Sequence, residues 1–177
     1  MQDYIEKHRR HAKKGLEHFS NQPDLCAAIR VAALAINRKG KRHGHQRRIP
    51  GEMLEHFRQG LSRRRESLRS CKTFPGLMEI TEKVAEAIWK NSGLTVYDTT
   101  HRIGAYLGVP PDRVYLHTGT REGAKALGFK GSLPFLLPSE LPKAFRELKP
   151  YEIEDCLCIY KDDLKFLRQR HKLTEAV

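Results

Sequence analysis

The stretch from residue 90 to 128, KNSGLTVYDTTHRIGAYLGVPPDRVYLHTGTREGAKALG, most constrains what this chain can fold into. It reads as a tight glycine turn at Gly93, a helix, a turn at Pro110-Pro111, and a second helix with a polar front. Punctuation this close favours helices joined by short connections. Tyr97, Asp98, His101, Arg102, Tyr115 and His117 all fall within it, a dense set of groups able to hold or move a proton.

The rest of the chain reads the same way. Residues 2–19 are charged and weakly amphipathic, with Tyr4, Ile5, Leu16 and Phe19 as the packing face. Asn21 to Asp24 breaks the chain, and residues 25–36 form an Ala-rich apolar helix, expected to be the most buried. Pro50 opens a long helix to about residue 70, with Met53, Leu54, Phe57, Leu61 and Leu68 near helical spacing. Thr73-Phe74-Pro75-Gly76 reads as a break before a further amphipathic helix, residues 77–90. Beyond Gly128, residues 131–142 read as a proline-rich connector and 144–148 as a short helix. The run from Pro150 fits helix or strand, and residues 161–172 read as a charged terminal helix. The expected fold is a single all-α domain over residues 1–177, with a basic part at 1–72 and a hairpin and active-site core at 73–130.

Charge is uneven. The net +12 is concentrated in residues 1–72, which carry 18 Lys and Arg against 7 Asp and Glu, whereas residues 73–177 carry 15 against 14. Such asymmetry favours a polyanionic partner, DNA or RNA. The segment 37–48, NRKGKRHGHQRR, concentrates Arg38, Lys39, Lys41, Arg42, Arg47 and Arg48; it is expected to be mobile or to lie on phosphate. Cys26, Cys71, Cys156 and Cys158 do not have disulfide-framework or zinc spacing, and Cys26 and Cys158 are expected to be buried thiols. No metal and no cofactor is expected. No apolar stretch reaches membrane-span length, and the charged N-terminus lacks a signal core, so a monomeric cytoplasmic protein is expected.

Helix, glycine turn, helix around Lys90, Asn91, Ser92, Gly93 and Thr95 is the layout of a hairpin that presents backbone N–H groups and a helix N-terminus to a phosphate. Taken with residues 96–128, this hairpin resembles that of the helix–hairpin–helix DNA glycosylases of the endonuclease III type. That family has a hairpin L-P-G-V-G-x-K-T-A, a helix ending near F-G, a loop, then V-D-T-H-x-x-R-x-x-x-R-L-G. In one register Gly93-Leu94-Thr95 lies at the hairpin, Tyr106-Leu107-Gly108 at the helix end, and His117-Thr118 with Leu127-Gly128 at the D-T and L-G positions. His117 then occupies the catalytic Asp position, and the lysine position falls near Tyr97. In the other, Phe74-Pro75-Gly76 resembles L-P-G, and residues 96–102, VYDTTHR, resemble V-D-T-H with its Arg. This puts Asp98 at the catalytic position, 23 residues after Pro75, and Ile80 at the lysine position.

Neither register retains the lysine nucleophile, Thr95 stands where the hairpin has its second glycine, and no four-cysteine cluster motif is present. The resemblance therefore implies a monofunctional glycosylase without an iron–sulfur cluster, acting on duplex DNA with the base flipped out. Asp98 would stabilise the oxocarbenium-like sugar and His117 would assist. Trp89, Tyr97, His101 and Tyr115 would line the base pocket, and Arg102, Arg121, Lys125 and Lys130 would meet phosphates. A hypermodified phage base is one conceivable substrate. Two other readings stay open: a non-catalytic DNA-docking module, and a metal-dependent nuclease using Asp98 with His101 or His117. Asp98 also reads as a helix-start Asp, and His117 as a helix cap.

Overall fold

The computed structural model describes residues 1–90 and 92–166, and it is mostly helical. The chain divides into two compact units: residues 10–111, and residues 1–9 with 112–177. The division after Pro111 falls inside the 73–130 segment that the sequence suggests is one core. Among the described residues, no helix is long and apolar enough to cross a membrane.

The unit formed by residues 10–111 contains most of α2 (Arg9–Ser20), then α3 (Leu25–Ala33), α4 (Gly51–Arg63), α5 (Arg65–Ser70), α6 (Phe74–Glu86) and α7 (Gly93–Leu107). Asp24 caps α3 by accepting from the N–H of Ala27 at 2.8 Å, which sets the start of the Ala-rich helix. As expected, that helix is core: Leu25, Ala28, Ile29, Ala32 and Ala33 pack with Phe57, Leu61, Leu68, Leu77, Val96 and Ile103. Small side chains let α4 and α7 approach α3 closely.

Several boundaries differ from those expected of the sequence. The first helix breaks at His8 into α1 (Gln2–Lys7) and α2. The long helix breaks at Arg64, whose backbone leaves helical geometry at φ −97° and ψ 13°, and Arg63, Arg64 and Arg65 are all exposed. Thr73 caps α6, so Phe74, Pro75 and Gly76 form its first turn and not a break. Gly93 is the first residue of α7 and does not adopt the left-handed backbone that demands glycine. The helix end at Gly108 is as expected: its φ of +71° closes α7 with a left-handed cap.

The 37–48 segment is built, contrary to the expectation of an unpacked loop. A bridge pairs Ile36 with Arg42, and Asn37 Oδ1 accepts from the N–H groups of Lys39 (2.9 Å) and Lys41 (3.2 Å). A short 3-10 helix, Gly44–Arg48, comes next and buries Gln46 completely.

The other unit holds α1, β1 (Val114–Tyr115), α8 (Thr118–Ala126), β2 (Phe135–Leu136) and α9 (Pro150–Ile159). The antiparallel pair of β1 and β2 has no counterpart in the all-α expectation; two residues per strand are too few for alternation to show in a sequence. The short segment near residue 145 is a 3-10 turn, Lys143–Phe145. The run after Pro150 is helix, begun by Glu152 accepting from the N–H of Lys149 at 2.9 Å. Residues 161–166 are helical, and the rest of the expected terminal helix lies outside the described residues. Tyr4, Val114, Leu136, Ile153, Cys156 and Leu157 are fully buried in this core.

Candidate functional site

Asp98 lies in the second turn of α7, not at its start, so a helix-cap role is ruled out by position. Its carboxylate accepts from Gln46 Nε2 at 2.5 Å and pairs with Arg102 at 3.3 Å. Arg102, one helical turn on, is itself buried and donates to the carbonyl of Ala32 at 3.4 Å. The Asp98 side chain retains 19% exposure while that of Arg102 retains 8%, so Asp98 is the more exposed member of the pair. Arg102 also lies over the Phe19 ring, 5.5 Å from its centroid, and His43 stacks against the same ring at 6.0 Å.

Two histidines border this pair, and both are held neutral. Burial lowers His43 from the ordinary 6.5 to about 4, with Arg102 acting in the same direction and Asp98 against it. Burial likewise lowers His101 to about 4, with Asp98 opposing. Three buried polar atoms of this region have no hydrogen-bond partner among the described residues: His43 Nε2, Gln46 Oε1 and Thr99 Oγ1. Buried polar atoms are ordinarily satisfied, and such exceptions concentrate where water or ligand binds. On the neighbouring face of α7, Tyr97 is buried between Phe74 (6.1 Å) and His101 (5.8 Å).

The expected site residues do not all come together. His117 belongs to the other unit, where it holds the N-cap position of α8. Its Nε2 lies 2.8 Å from Glu154 Oε1, and its N–H donates to Thr120 Oγ1 at 2.8 Å. The capping role of His117 thus describes where it stands. Tyr115 is in the same unit, its hydroxyl 3.3 Å from Asp112. Trp89 meets Phe57 edge-on at 5.1 Å and is partly buried against the core.

Three expected phosphate contacts are corrected. Arg102 is buried. Thr95 is also buried, because it faces into the helix bundle. Arg121 points inward as well: it donates to the carbonyls of Leu116 (2.7 Å), Leu133 (3.3 Å) and Gly131, tying the loop after α8. Lys90, Gly93, Lys125 and Lys130 are exposed, Ser92 is half-buried, and Asn91 lies outside the described residues. Of the 37–48 cations, Arg42 donates to the carbonyl of Ile49 at 3.0 Å, whereas Arg38, Lys39, Lys41, Arg47 and Arg48 remain exposed. Cys26 is also exposed, not buried, with Arg65 donating towards its sulfur at 3.3 Å; Cys156 is the buried thiol, and Cys158 is half-buried.

Sequence reasoning missed Gln46 and His43. Nothing in their neighbourhood marks them: the hydrogen bond from Gln46 spans 52 residues, and Gln46 is flanked by His45 and Arg47 with no apolar residue beside it. Among the described residues, no group of three or more His, Cys, Asp or Glu could hold a metal ion. A cavity of about 670 Å³ between α4 and α6 is lined by His56, Arg63, Arg64, Lys83 and neighbours and includes none of the Asp98 cluster. Comparison with protein-family models, curated proteins and solved structures finds no match.

Proposed function

We propose that this protein is a monofunctional DNA glycosylase whose catalytic carboxylate is Asp98. The observation that carries the reading is the Asp98 cluster: a partly exposed aspartate, oriented by Gln46 and Arg102 and bordered by two neutral histidines. The unit holding it carries 19 Lys and Arg against 9 Asp and Glu, net +10, whereas the remaining residues carry 14 against 12. A polyanion is therefore drawn to the unit that contains Asp98.

The glycines favour the register that assigns Asp98. A side chain on Gly76, in the first turn of α6, would meet Cys71 Sγ at 2.6 Å and Thr73 Oγ1 at 3.1 Å, so a larger residue there requires the Cys71 side chain to move. One on Gly93 would meet nothing within 4 Å, so no such demand exists there. In this reading the connection between α5 and α6 is the DNA-facing hairpin of the helix–hairpin–helix family.

In the reaction, the C1′–N bond breaks with its electron pair leaving on the base. Water supplies hydroxide to C1′, and its proton ends on the base. Asp98 faces the positive charge developing on the sugar and orients that water. Gln46 and Arg102 hold the carboxylate in one geometry, so little reorganisation accompanies the charge change.

The test is alkali-dependent strand breakage after incubation in EDTA. Substrates are unmodified duplex, duplexes with common lesions, and glucosylated or hydroxymethylated phage DNA. Breaks on one substrate, absent with Asp98→Asn, support the reading. A second reading, a DNA-docking module, is favoured by the burial of Arg102, which needs a counter-charge whether or not chemistry occurs. It predicts tight binding, no breaks on any substrate, and unchanged binding in Asp98→Asn.

A further inference from the structure

A second cavity, of about 260 Å³, lies in the same unit between α2 and the 37–48 segment. It is lined by His11, Gly15, Asn37, Arg38, Lys39 and His43, with no carboxylate among them. At neutral pH its lining therefore carries two full positive charges and no negative one. The volume is below that of ordinary drug-sized ligand pockets, about 300–1,000 Å³, and suits a small polar group.

Three features make this more than a gap beside a basic loop. Gly15 lies inside α2, where glycine costs about 0.5–1 kcal/mol relative to alanine. A side chain there would meet nothing within 4 Å, so packing does not require the glycine; its visible consequence is room in the cavity. The loop backbone is also fixed in advance. Asn37 holds the N–H groups of Lys39 and Lys41, Gly40 takes the left-handed φ of +70° that closes the turn, and His43 N–H donates to Ala35 at 2.8 Å. Finally, the His43 ring that lines the cavity is held against Phe19, their centroids 6.0 Å apart, which fixes that wall.

We infer that this cavity is a phosphate-binding subsite, with Arg38 and Lys39 supplying charge and Gly15 the space for the phosphoryl oxygens. Planar Arg38 suits two phosphoryl oxygens at once, while Lys39 acts as a point charge. The phosphate is either an internal phosphodiester of a bound strand or a terminal phosphomonoester; both present the same anionic oxygens. Neither Asp98 nor the reaction proposed for it is needed for phosphate to bind there.

The test is an amide NMR titration of the full chain with inorganic phosphate. The expected result is a saturable shift confined to residues around Gly15 and Asn37 to His43. It should weaken about tenfold or more in Arg38→Gln and in Gly15→Leu, as loss of one charged hydrogen bond or of the space requires. Lys83→Gln, in the other cavity, should leave it unchanged. Oligonucleotides with and without a 5′-phosphate then separate the sources: tighter binding of the phosphorylated strand, a preference lost in Gly15→Leu, assigns a terminal phosphate, and equal binding, weakened for both strands by Gly15→Leu, an internal one. Shifts spread over all the basic surface without saturation, or equal affinity in Arg38→Gln and Gly15→Leu, would overturn the inference. Gly15→Leu raises helix propensity and Arg38 is exposed, so both variants are expected to fold.

Discussion

Asp98, Arg102 and Gln46 make one unit of interaction, and substitution at each should read differently. Asp98→Asn preserves shape but leaves a buried guanidinium without its counter-charge. It should lower stability by about 1–3 kcal/mol, measured by urea unfolding, while leaving the helical circular dichroism intact. Gln46→Leu keeps the ion pair and removes one hydrogen bond to a charged group, a smaller loss of about 1–2 kcal/mol. Near-zero cost for both would mean that the cluster is not formed in solution. The histidines predict a pH dependence. Each has a folded-state pKa near 4 against an ordinary 6.5, so the unfolded chain takes up protons first as pH falls. Their contribution is complete above about pH 6.5 and is lost as pH falls from 6.5 towards 4. The variant His43→Gln/His101→Gln should lose less stability than the natural chain between pH 7 and 5; an equal loss in both would contradict the burial of these imidazoles. None of this grouping is legible in the sequence beyond the Asp98–Arg102 spacing. Gln46 reaches Asp98 only after the fold brings distant segments together, and Arg102 and Arg121 look no different in sequence from solvent-facing arginines.

At the scale of elements, glycines distinguish close approach from mere presence. A side chain on Gly123 of α8 would collide with the backbone of Leu157 in α9, which cannot move aside as a flexible side chain can. Gly123→Ala should cost about 1–3 kcal/mol. Gly93→Ala, in open space with ordinary helical backbone, should stabilise by about 0.4–1 kcal/mol. Urea midpoints of the two variants check both signs. Gly93→Ala also probes the hairpin: if Gly93 formed the phosphate-facing turn, DNA affinity would fall, whereas the register through Gly76 predicts no change. Helix existence is legible wherever a cap or breaker coincides with apolar spacing, as at Asp24, Gly108 and His117. The breaks at His8 and Arg64 are not, because both residues are tolerated inside helices. The 37–48 segment is opaque in sequence because composition alone does not register a buried Gln or the side-chain bonds of Asn37.

For the molecule as a whole, charge is the property most legible in the sequence. The residues 10–111 carry net +10, close to the whole of the chain's +12, and the exposed Arg38, Lys39, Lys41, Arg47 and Arg48 contribute half of it. Replacing these five by Gln should flatten the dependence of log K on log salt for duplex DNA by about 0.9 for each phosphate no longer neutralised. An unchanged slope would move the DNA surface elsewhere on the protein. The most direct test of the central assignment is mass spectrometry of free bases released from damaged and phage-modified DNA in EDTA. A glycosylase centred on Asp98 should release one base, leave strands intact before alkali treatment, and lose at least about 100-fold of that release in Asp98→Asn. Release undiminished in Asp98→Asn, or strand scission with no free base, would contradict it.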